Sequence, residues 1–531
     1  MNTQNSLSAT FSGLLQKTMG CSRYARRVLE AEPLLLNWLQ ENYAEPCNRA
    51  EILSLLVQSG FNLLDESQLA RAVRRLRKQV MVKLILRDLN GLGDLNEVMQ
   101  AMTALAEIVV QQAQVCLMES LQTQFGAPIG EVNKTVQELL VIGMGKLGGG
   151  ELNVSSDIDL IFVYAEDGET NGARTLSNHE FFTRLGRRLI NIINEATGDG
   201  YVFRVDMRLR PYGDSGPLVM SFAALEEYLV SQGREWERYA WIKARVVAPA
   251  DSMYVSELNK LYKPFVFRKY LDFGAIDSMR KLHAQIRQEV QRRDRLDNIK
   301  LGPGGIREIE FTAQVFQLIR GGQDERLRIL PTQRVLKQLA ENGQLAAKVV
   351  ADLDTAYIFL RNLEHRLQYL DDQQTQALPA SEEDRQIIAC AMGYADYAAL
   401  LHVLDRHRVL VAEQFEQIFG ATAQEQSTLW REDMSVEELT LGLEKLGYRS
   451  AADSAQRLLQ LRDGLRYRQL SDLSRQRVDG LIPKFITLSG QYSDPDATLS
   501  RLLTLLEAIS RRAAYLAFLA EYPQALARLT R

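Results

Sequence analysis

The sequence has few of the residues that build metal clusters or disulfide scaffolds. Its four cysteines, Cys21, Cys47, Cys116 and Cys390, are too widely spaced for a paired zinc motif or a secreted disulfide framework, which fits a reducing compartment. The five histidines, His179, His283, His365, His402 and His407, fall in helix-like text without ligand spacing. Charge of one sign is also lacking. Against 67 acidic residues stand 63 basic ones, a net of −4, so nothing draws the whole chain toward nucleic acid or an anionic membrane. No apolar run of bilayer length is legible, and the first twenty residues lack the basic start and long apolar stretch of a secretion signal. The composition predicts a cytoplasmic protein of several packed modules, with no nucleic-acid and no membrane partner.

What is there changes character twice. From Ser22 to Gln122 apolar residues recur at helical intervals, as in Glu51-Ile-Leu-Ser-Leu-Leu-Val. Between Gln137 and Pro249 strands and helices alternate. Glu138-Leu-Leu-Val-Ile-Gly-Met-Gly reads as a buried strand entering a tight turn, Asp157-Ile-Asp-Leu-Ile-Phe-Val-Tyr as a second strand, and Gly200 to Arg210 as a third. The intervening helix is expected to start at Asn178 as N-cap, with Phe181, Phe182, Leu185, Leu189, Ile192 and Ile193 facing inward. Helices then dominate to the end, broken by Leu301-Gly-Pro-Gly-Gly and by a candidate linker over residues 422–428. The final helices, Leu499 to Ala517 and Pro523 onward, carry no terminating signal, as expected of one piece of a longer polypeptide.

The chemistry concentrates in the alternating region. Residues two apart in a strand share a face, so Asp157 and Asp159 present two carboxylates side by side. Such a pair repels itself unless a cation intervenes, and a hard divalent ion such as Mg²⁺ takes carboxylate and phosphate oxygens. The third strand repeats the pattern, with Asp206, Arg208 and Arg210 on one face; the arginines suit either phosphate contacts or structural ion pairs. Gly143-Met-Gly-Lys-Leu-Gly-Gly-Gly lets backbone amides approach an anion, for which phosphate is the natural guest. It is not a Walker loop, because no Ser or Thr follows Gly145-Lys146. Gly143, Gly145 and Gly148 match the dinucleotide-binding spacing, which keeps a nicotinamide or flavin fold open, although Asp157 and Asp159 follow too soon to reach a ribose.

A glycine turn, a short spacer, Ser156-Asp157-Ile-Asp159 and a later Asp206 together resemble the DNA polymerase β nucleotidyltransferase superfamily. With Arg204-Val-Asp-Met-Arg-Leu-Arg-Pro, Trp236-Glu-Arg-Tyr-Ala and Ile299-Lys-Leu-Gly-Pro-Gly-Gly-Ile-Arg-Glu-Ile-Glu-Phe, most of the chain resembles bacterial glutamine synthetase adenylyltransferase. Val154 departs from that pattern, which often has an aromatic residue there. The resemblance implies an α+β, mostly helical fold, in which a polymerase-β-like nucleotidyltransferase sheet domain (123–255) is flanked by helical domains at 1–122, 256–422 and 423–531. That family has two similar halves, one attaching AMP to a tyrosine of glutamine synthetase and one removing it by phosphorolysis. Only one motif set is present here, and Arg307-Glu308 with Trp236-Glu-Arg-Tyr resembles the N-terminal, adenylyl-removing half.

The implied reaction is Mg²⁺-dependent release of ADP from adenylylated synthetase by phosphate, with a nitrogen-signalling PII protein as a further partner. The alternatives are adenylylation from ATP, a noncatalytic module that binds nucleotide or partner, and a nucleic-acid polymerase or tailing enzyme. Asp157, Asp159 and Asp206 are the expected catalytic metal ligands; Gly148, Gly149, Ser155, Ser156, Arg208 and Arg210 are the expected phosphate contacts. Lys300, Arg307, Glu308 and Glu310 are expected at a domain interface, and Trp236 and Trp241 in the core. Arg71, Arg74, Arg75 and Lys78 form a basic helix face, read either as solvated or as a dock for an acidic partner.

Overall fold

The structure, a computed structural model, describes residues 2–268, 297–419, 429–430, 434–510, 512, 515, 516 and 519. The expected linker at 422–428 and the helix from Pro523 lie outside the described residues. The described residues fall into two compact units, one formed by residues 2–268 and 297–415, the other by the described residues from Glu416 onward.

In the first unit, helices Arg23–Ala31, Arg49–Val57, Glu66–Leu89 and Leu95–Phe125 precede the sheet. Each starts at a side-chain oxygen that accepts an otherwise unpaired backbone N–H, from Ser22, Asn48, Asp65 and Asp94 respectively. Contrary to the sequence reading, Leu95–Phe125 is long and apolar enough by composition to cross a membrane; it is mostly buried here, with Leu105, Val109 and Leu117 in the core. The basic face on Glu66–Leu89 is corrected in part: Arg71 and Arg75 are exposed as read, the other two are not. Arg74 is buried and donates to the carbonyls of Ala70, Glu195 and Gly200, while Lys78 pairs with Glu32.

Five strands form the central sheet: β2 (Leu140–Gly143), β3 (Ile158–Tyr164), β5 (Val205–Asp206), β6 (Val219–Ser221) and β7 (Arg245–Ala248). A separate two-stranded ribbon pairs β1 (Pro128–Gly130) with β4 (Gly168–Thr170). The order is β5-β3-β2-β7, with β2 antiparallel to both β3 and β7. One edge of β3 is shared, since β5 pairs parallel with its start and β6 parallel with its end. Being covered on both faces, β3 reads as a near-continuous apolar run, in which Asp159 is the one half-buried position.

Helix Asn178–Asn194 packs its expected apolar stripe on this sheet, with the Phe182 ring tilted against Tyr164 at 5.1 Å between centroids. Its N-cap is Ser177, not Asn178. The Ser177 hydroxyl accepts from Glu180 N, and buried Asn178 donates instead to the carbonyls of Ile129 and Glu166. Helices Ile306–Arg320, Thr332–Glu341, Ala347–Tyr369, Glu382–Ala391 and Tyr397–Phe419 follow, with Ile309, Leu336, Leu360 and Leu404 in their core. Buried ion pairs join them to the N-terminal helices: Arg77 grips both oxygens of Asp372 at 2.8 and 2.7 Å, and Arg366 those of Asp88 at 2.6 and 2.8 Å. The fold is α+β and mostly helical. The second unit has its own core of Leu443, Leu458, Leu481, Phe485 and Leu502 on helices Val436–Lys445, Ala451–Asp463, Asp472–Ser489 and Pro495–Ile509.

Candidate active site

Parallel pairing of β3 with β5 sets the geometry. The register places Ile158 opposite Val205 and Asp159 opposite Asp206, so two carboxylates face the same way on neighbouring strands. Asp157 immediately precedes β3. The Asp159 carboxylate accepts no hydrogen bond from a described residue, and its acid is pushed up to about 6 by burial, then by the charge of Asp206, with Asp157 adding a smaller push.

The other two carboxylates are held by arginines. Arg204 donates to Asp157 at 2.7 Å and anchors itself on Tyr201 Oη at 3.0 Å and the Ser155 carbonyl at 2.8 Å. Arg208 reaches back to Asp206 through Nε and Nη2, at 2.9 and 2.5 Å from Oδ2, and these hydrogen bonds hold the Asp206 acid below its ordinary value. Among the described residues no group of three or more metal-ligating side chains closes on one point. The donor chemistry nevertheless suits a hard divalent cation: the Asp159 carboxylate has no ion-pair partner among the described residues and lies directly opposite a second carboxylate.

The third strand is far shorter than expected, which overturns the shared face of Asp206, Arg208 and Arg210. The Asp206 carboxylate accepts the backbone N–H of Arg208 at 2.8 Å, an aspartate turn that ends the strand after Asp206, and Pro211 and left-handed Tyr212 carry the chain away. Arg210 therefore points elsewhere, donating to the Met207 carbonyl at 2.8 Å and lying 3.5 Å from Asp214.

The glycine turn closes as a single helical turn, Gly145–Gly149, entered from Met144, whose N–H donates to the Asp159 carbonyl at 2.9 Å. Gly145 has φ +52°, and a Cβ there would lie 2.9 Å from Asp159 Oδ2, so glycine keeps the approach to this carboxylate open. Gly148 and Gly149 are closely packed. A Cβ on Gly148 would sit 1.8 Å from the Lys243 carbonyl, and one on Gly149 3.1 Å from Glu151. Ser155 is likewise tied down: it is buried, its N–H donates to Gln368 Oε1 at 3.1 Å, and its carbonyl holds Arg204. Ser156 is half-buried beside Asp157, and Val154 is wholly within the core.

Behind the turn runs a buried polar seam that the sequence did not reveal. Glu151 takes Lys243 Nζ at 2.6 Å, Thr332 N at 2.7 Å and Tyr357 Oη at 3.3 Å, while Arg361 donates to the Glu151 carbonyl at 2.7 Å and to Tyr357 Oη at 2.5 Å. Lys146 lies 3.0 Å from both oxygens of Glu364; burial would raise that acid, but Lys146 and Arg361 hold it well below the usual range. His365 is buried 3.3 Å from Asn153 and driven well below its ordinary pKa by burial. At the second glycine turn, Glu308 accepts the Gly304 N–H at 3.0 Å. Trp241 is buried against Tyr262 as expected, whereas Trp236 is exposed because its short helix turns Glu237 and Arg238 inward instead.

Arg204 was the site residue with a readable signal. Parallel pairing of a strand at Asp157 with one ending in Arg204-Val-Asp206 puts this arginine beside Asp157. The long-range partners Gln368, Glu364 and Arg361 lie more than two hundred residues from the turn and leave no local mark.

A glycine turn leading into an Asp-x-Asp strand, with a third aspartate in register on a parallel neighbour, defines the nucleotidyltransferase class. A family model for glutamate-ammonia ligase adenylyltransferase matches residues 12–260, and one for GlnD PII-uridylyltransferase matches residues 280–419. The chain is 52% identical to a bifunctional glutamine synthetase adenylyltransferase/adenylyl-removing enzyme of Chromobacterium violaceum, over 98% of this chain and 58% of that protein. Proteins of the same description from Aromatoleum aromaticum (52% identity, 97% of this chain, 54% of the relative) and Neisseria meningitidis (50%, 88% and 52%) are similar as well. The chain is thus similar over nearly its whole length to glutamine synthetase adenylyltransferase/adenylyl-removing enzymes, and it spans a little over half the length of these curated relatives.

Proposed function

We propose that this chain removes AMP from an adenylylated tyrosine of glutamine synthetase by phosphorolysis, releasing ADP, in the cytoplasm and with a PII signal protein as regulatory partner. The observation that carries the chemistry is the unpaired Asp159 carboxylate facing Asp206 across parallel strands. Arg307-Glu308 and Trp236-Glu-Arg-Tyr, which resemble the adenylyl-removing half, favour this direction over adenylylation.

In the reaction an oxygen of inorganic phosphate attacks the α-phosphorus, the bond from phosphorus to the tyrosine oxygen breaks, and the proton given up by phosphate ends on that oxygen. Such a displacement requires positioning and charge neutralisation, with no nucleophilic side chain. Asp159 and Asp206, with Asp157, would hold Mg²⁺, which when bound neutralises charge on attacking and leaving oxygens. Arg204 fixes Asp157, and Gly145 leaves room for the phosphoryl group over Asp159. The exposed Arg208 pair is weak and readily exchanged for a phosphate oxygen; half-buried Arg210 supports the loop instead.

The test is a paired assay on the same preparation. Adenylylated synthetase with phosphate and Mg²⁺ should yield ADP, and unmodified synthetase with ATP should gain little AMP. The opposite pattern assigns the chain to adenylylation, and neither reaction leaves a binding module.

A further inference from the structure

Asp157 and Arg204 are both half-buried, and an ion pair that open contributes little unless its geometry is imposed from elsewhere. Here it is imposed. Each guanidinium nitrogen of Arg204 has its own acceptor: Nε donates to Asp157 Oδ1 at 2.7 Å, Nη1 to Tyr201 Oη at 3.0 Å and Nη2 to the Ser155 carbonyl at 2.8 Å. The planar fork is thus fixed in three directions. Only one oxygen of Asp157 is taken up by it; Oδ2 accepts no hydrogen bond from a described residue.

The groups that fix Tyr201 come from two distant helical segments. Its hydroxyl donates to Asp372 Oδ2 at 3.2 Å, and the buried Asp372 carboxylate accepts both Nη groups of Arg77, at 2.7 and 2.8 Å. The Tyr201 ring lies against both cations, its centroid 4.5 Å from the guanidinium carbon of Arg77 and 5.5 Å from that of Arg204. One turn earlier on the Arg77 helix, buried Arg74 donates to the carbonyls of Glu195 and Gly200, at 2.6 and 2.9 Å, and so holds the turn that leads into Tyr201. Asp372 stands just past helix Ala347–Tyr369 with φ +58°, a left-handed backbone uncommon outside glycine and held here by these contacts. The Asp372 N–H donates to the Gln368 carbonyl at 3.0 Å, and Gln368 Oε1 accepts the Ser155 N–H at 3.1 Å. One helix end therefore grips the chain just before Asp157 and, through Tyr201, the arginine that binds it.

We infer that Tyr201 and Asp372 are positioning residues for Asp157, which they hold in place through Arg204 to receive a divalent cation. This rests on Asp157 as a cation ligand, part of the reading proposed above. The carboxylates on this face repel one another, so an untethered Asp157 would swing toward solvent. An arginine held only by its own flexible stem would swing with it; one anchored through Tyr201 to a buried ion pair does not. The Arg77–Asp372 pair thus serves the site as well as the packing of the helices.

The test uses the full 531-residue chain with Tyr201→Phe, which removes only the hydroxyl, and Arg204→Lys, which keeps the charge but loses the fork. Two quantities are read: calorimetric affinity for Mn²⁺ without synthetase, and the Mg²⁺ midpoint and synthetase KM of ADP release. Tyr201→Phe should weaken Mn²⁺ binding and raise the Mg²⁺ midpoint, each by about ten-fold, and leave the synthetase KM unchanged. Asp372→Asn should weaken Mn²⁺ binding likewise and also lower the melting temperature, since it leaves Arg77 unpaired; if it does not fold, Tyr201→Phe decides. Because Tyr201 acts through Arg204, the double variant should bind Mn²⁺ little more weakly than Arg204→Lys alone. A Tyr201→Phe chain that binds Mn²⁺ as wild type does, whatever its melting temperature, makes the hydroxyl structural only and overturns the inference, as do additive losses in the double variant. Asp157→Asn separates the two readings. If it binds Mn²⁺ as wild type does, the cation-ligand reading itself falls; if it loses Mn²⁺ while Tyr201→Phe does not, only the positioning falls.

Discussion

Two polar clusters flank the Gly145–Gly149 turn, and they are built on opposite principles. Behind it, Glu151, Lys243, Thr332, Tyr357, Arg361, Glu364 and Lys146 form a buried network in which charges meet opposite charges at 2.6 to 3.4 Å. In front, Asp159 faces Asp206 with no cation between them, and folding raises its acid to about 6. The seam uses its charges to hold the sheet to the helical side; at the front, burial and the charge of Asp206 leave the Asp159 carboxylate in an unfavourable charged state. A region made for stability and a region made for binding therefore respond oppositely to loss of a charge.

The largest expected effect breaks the front. Asp159→Asn should lower phosphate-dependent ADP release by about a thousand-fold with the fold intact by circular dichroism, because it removes a group needed where charge develops. Near-normal turnover would end the site assignment. The corresponding change in the seam, Glu364→Gln, strands Lys146 in a buried setting, removes an ion-pair partner of Arg361 and should cost about 3–5 kcal/mol in denaturant unfolding. If stability were retained, the seam would not be what holds the two sides. Gly148→Ala forces a methyl against the Lys243 carbonyl and should destabilise by about 1–3 kcal/mol, a seam-type response from a residue first read as a phosphate contact. Smallest is Arg208→Ala. It should leave the melting temperature unchanged and shift the Mg²⁺ midpoint of activity no more than about five-fold, since the pair it breaks is exposed.

How much of this was legible depends on the sequence distance of the interaction. The strand at Asp157-Ile-Asp-Leu-Ile-Phe-Val-Tyr, the turn at Gly143 and the amphipathic helix from Asn178 follow from local periodicity and glycine content, and they are present. The third strand was overread because alternation continues to Arg210 while the Asp206 side chain captures the Arg208 amide and ends pairing. For Ser155 and the later glycines, the packing partners Gln368 and the Lys243 carbonyl come from distant segments and leave no local mark. Arg74 looked like part of an exposed stripe for the same reason, its acceptors being backbone carbonyls of residues 195 and 200. Pairing through long loops, not local propensity, decides which polar residues are structural.

The central claim is that Asp159 is kept in an unfavourable state for a ligand. Its acid moves from the ordinary 3.8 to about 6 on folding, so the native chain holds that proton more tightly. The resulting stability is complete below about pH 4 and is lost as pH rises through about 6. The decisive measurement is the melting temperature of wild type and Asp159→Asn at pH 8, in EDTA and then in Mg²⁺. In EDTA the variant should be the more stable by about 1–3 kcal/mol, an advantage absent at pH 4, and Mg²⁺ should raise wild type alone. A variant less stable than wild type in EDTA, or an equal rise of both in Mg²⁺, would contradict the account.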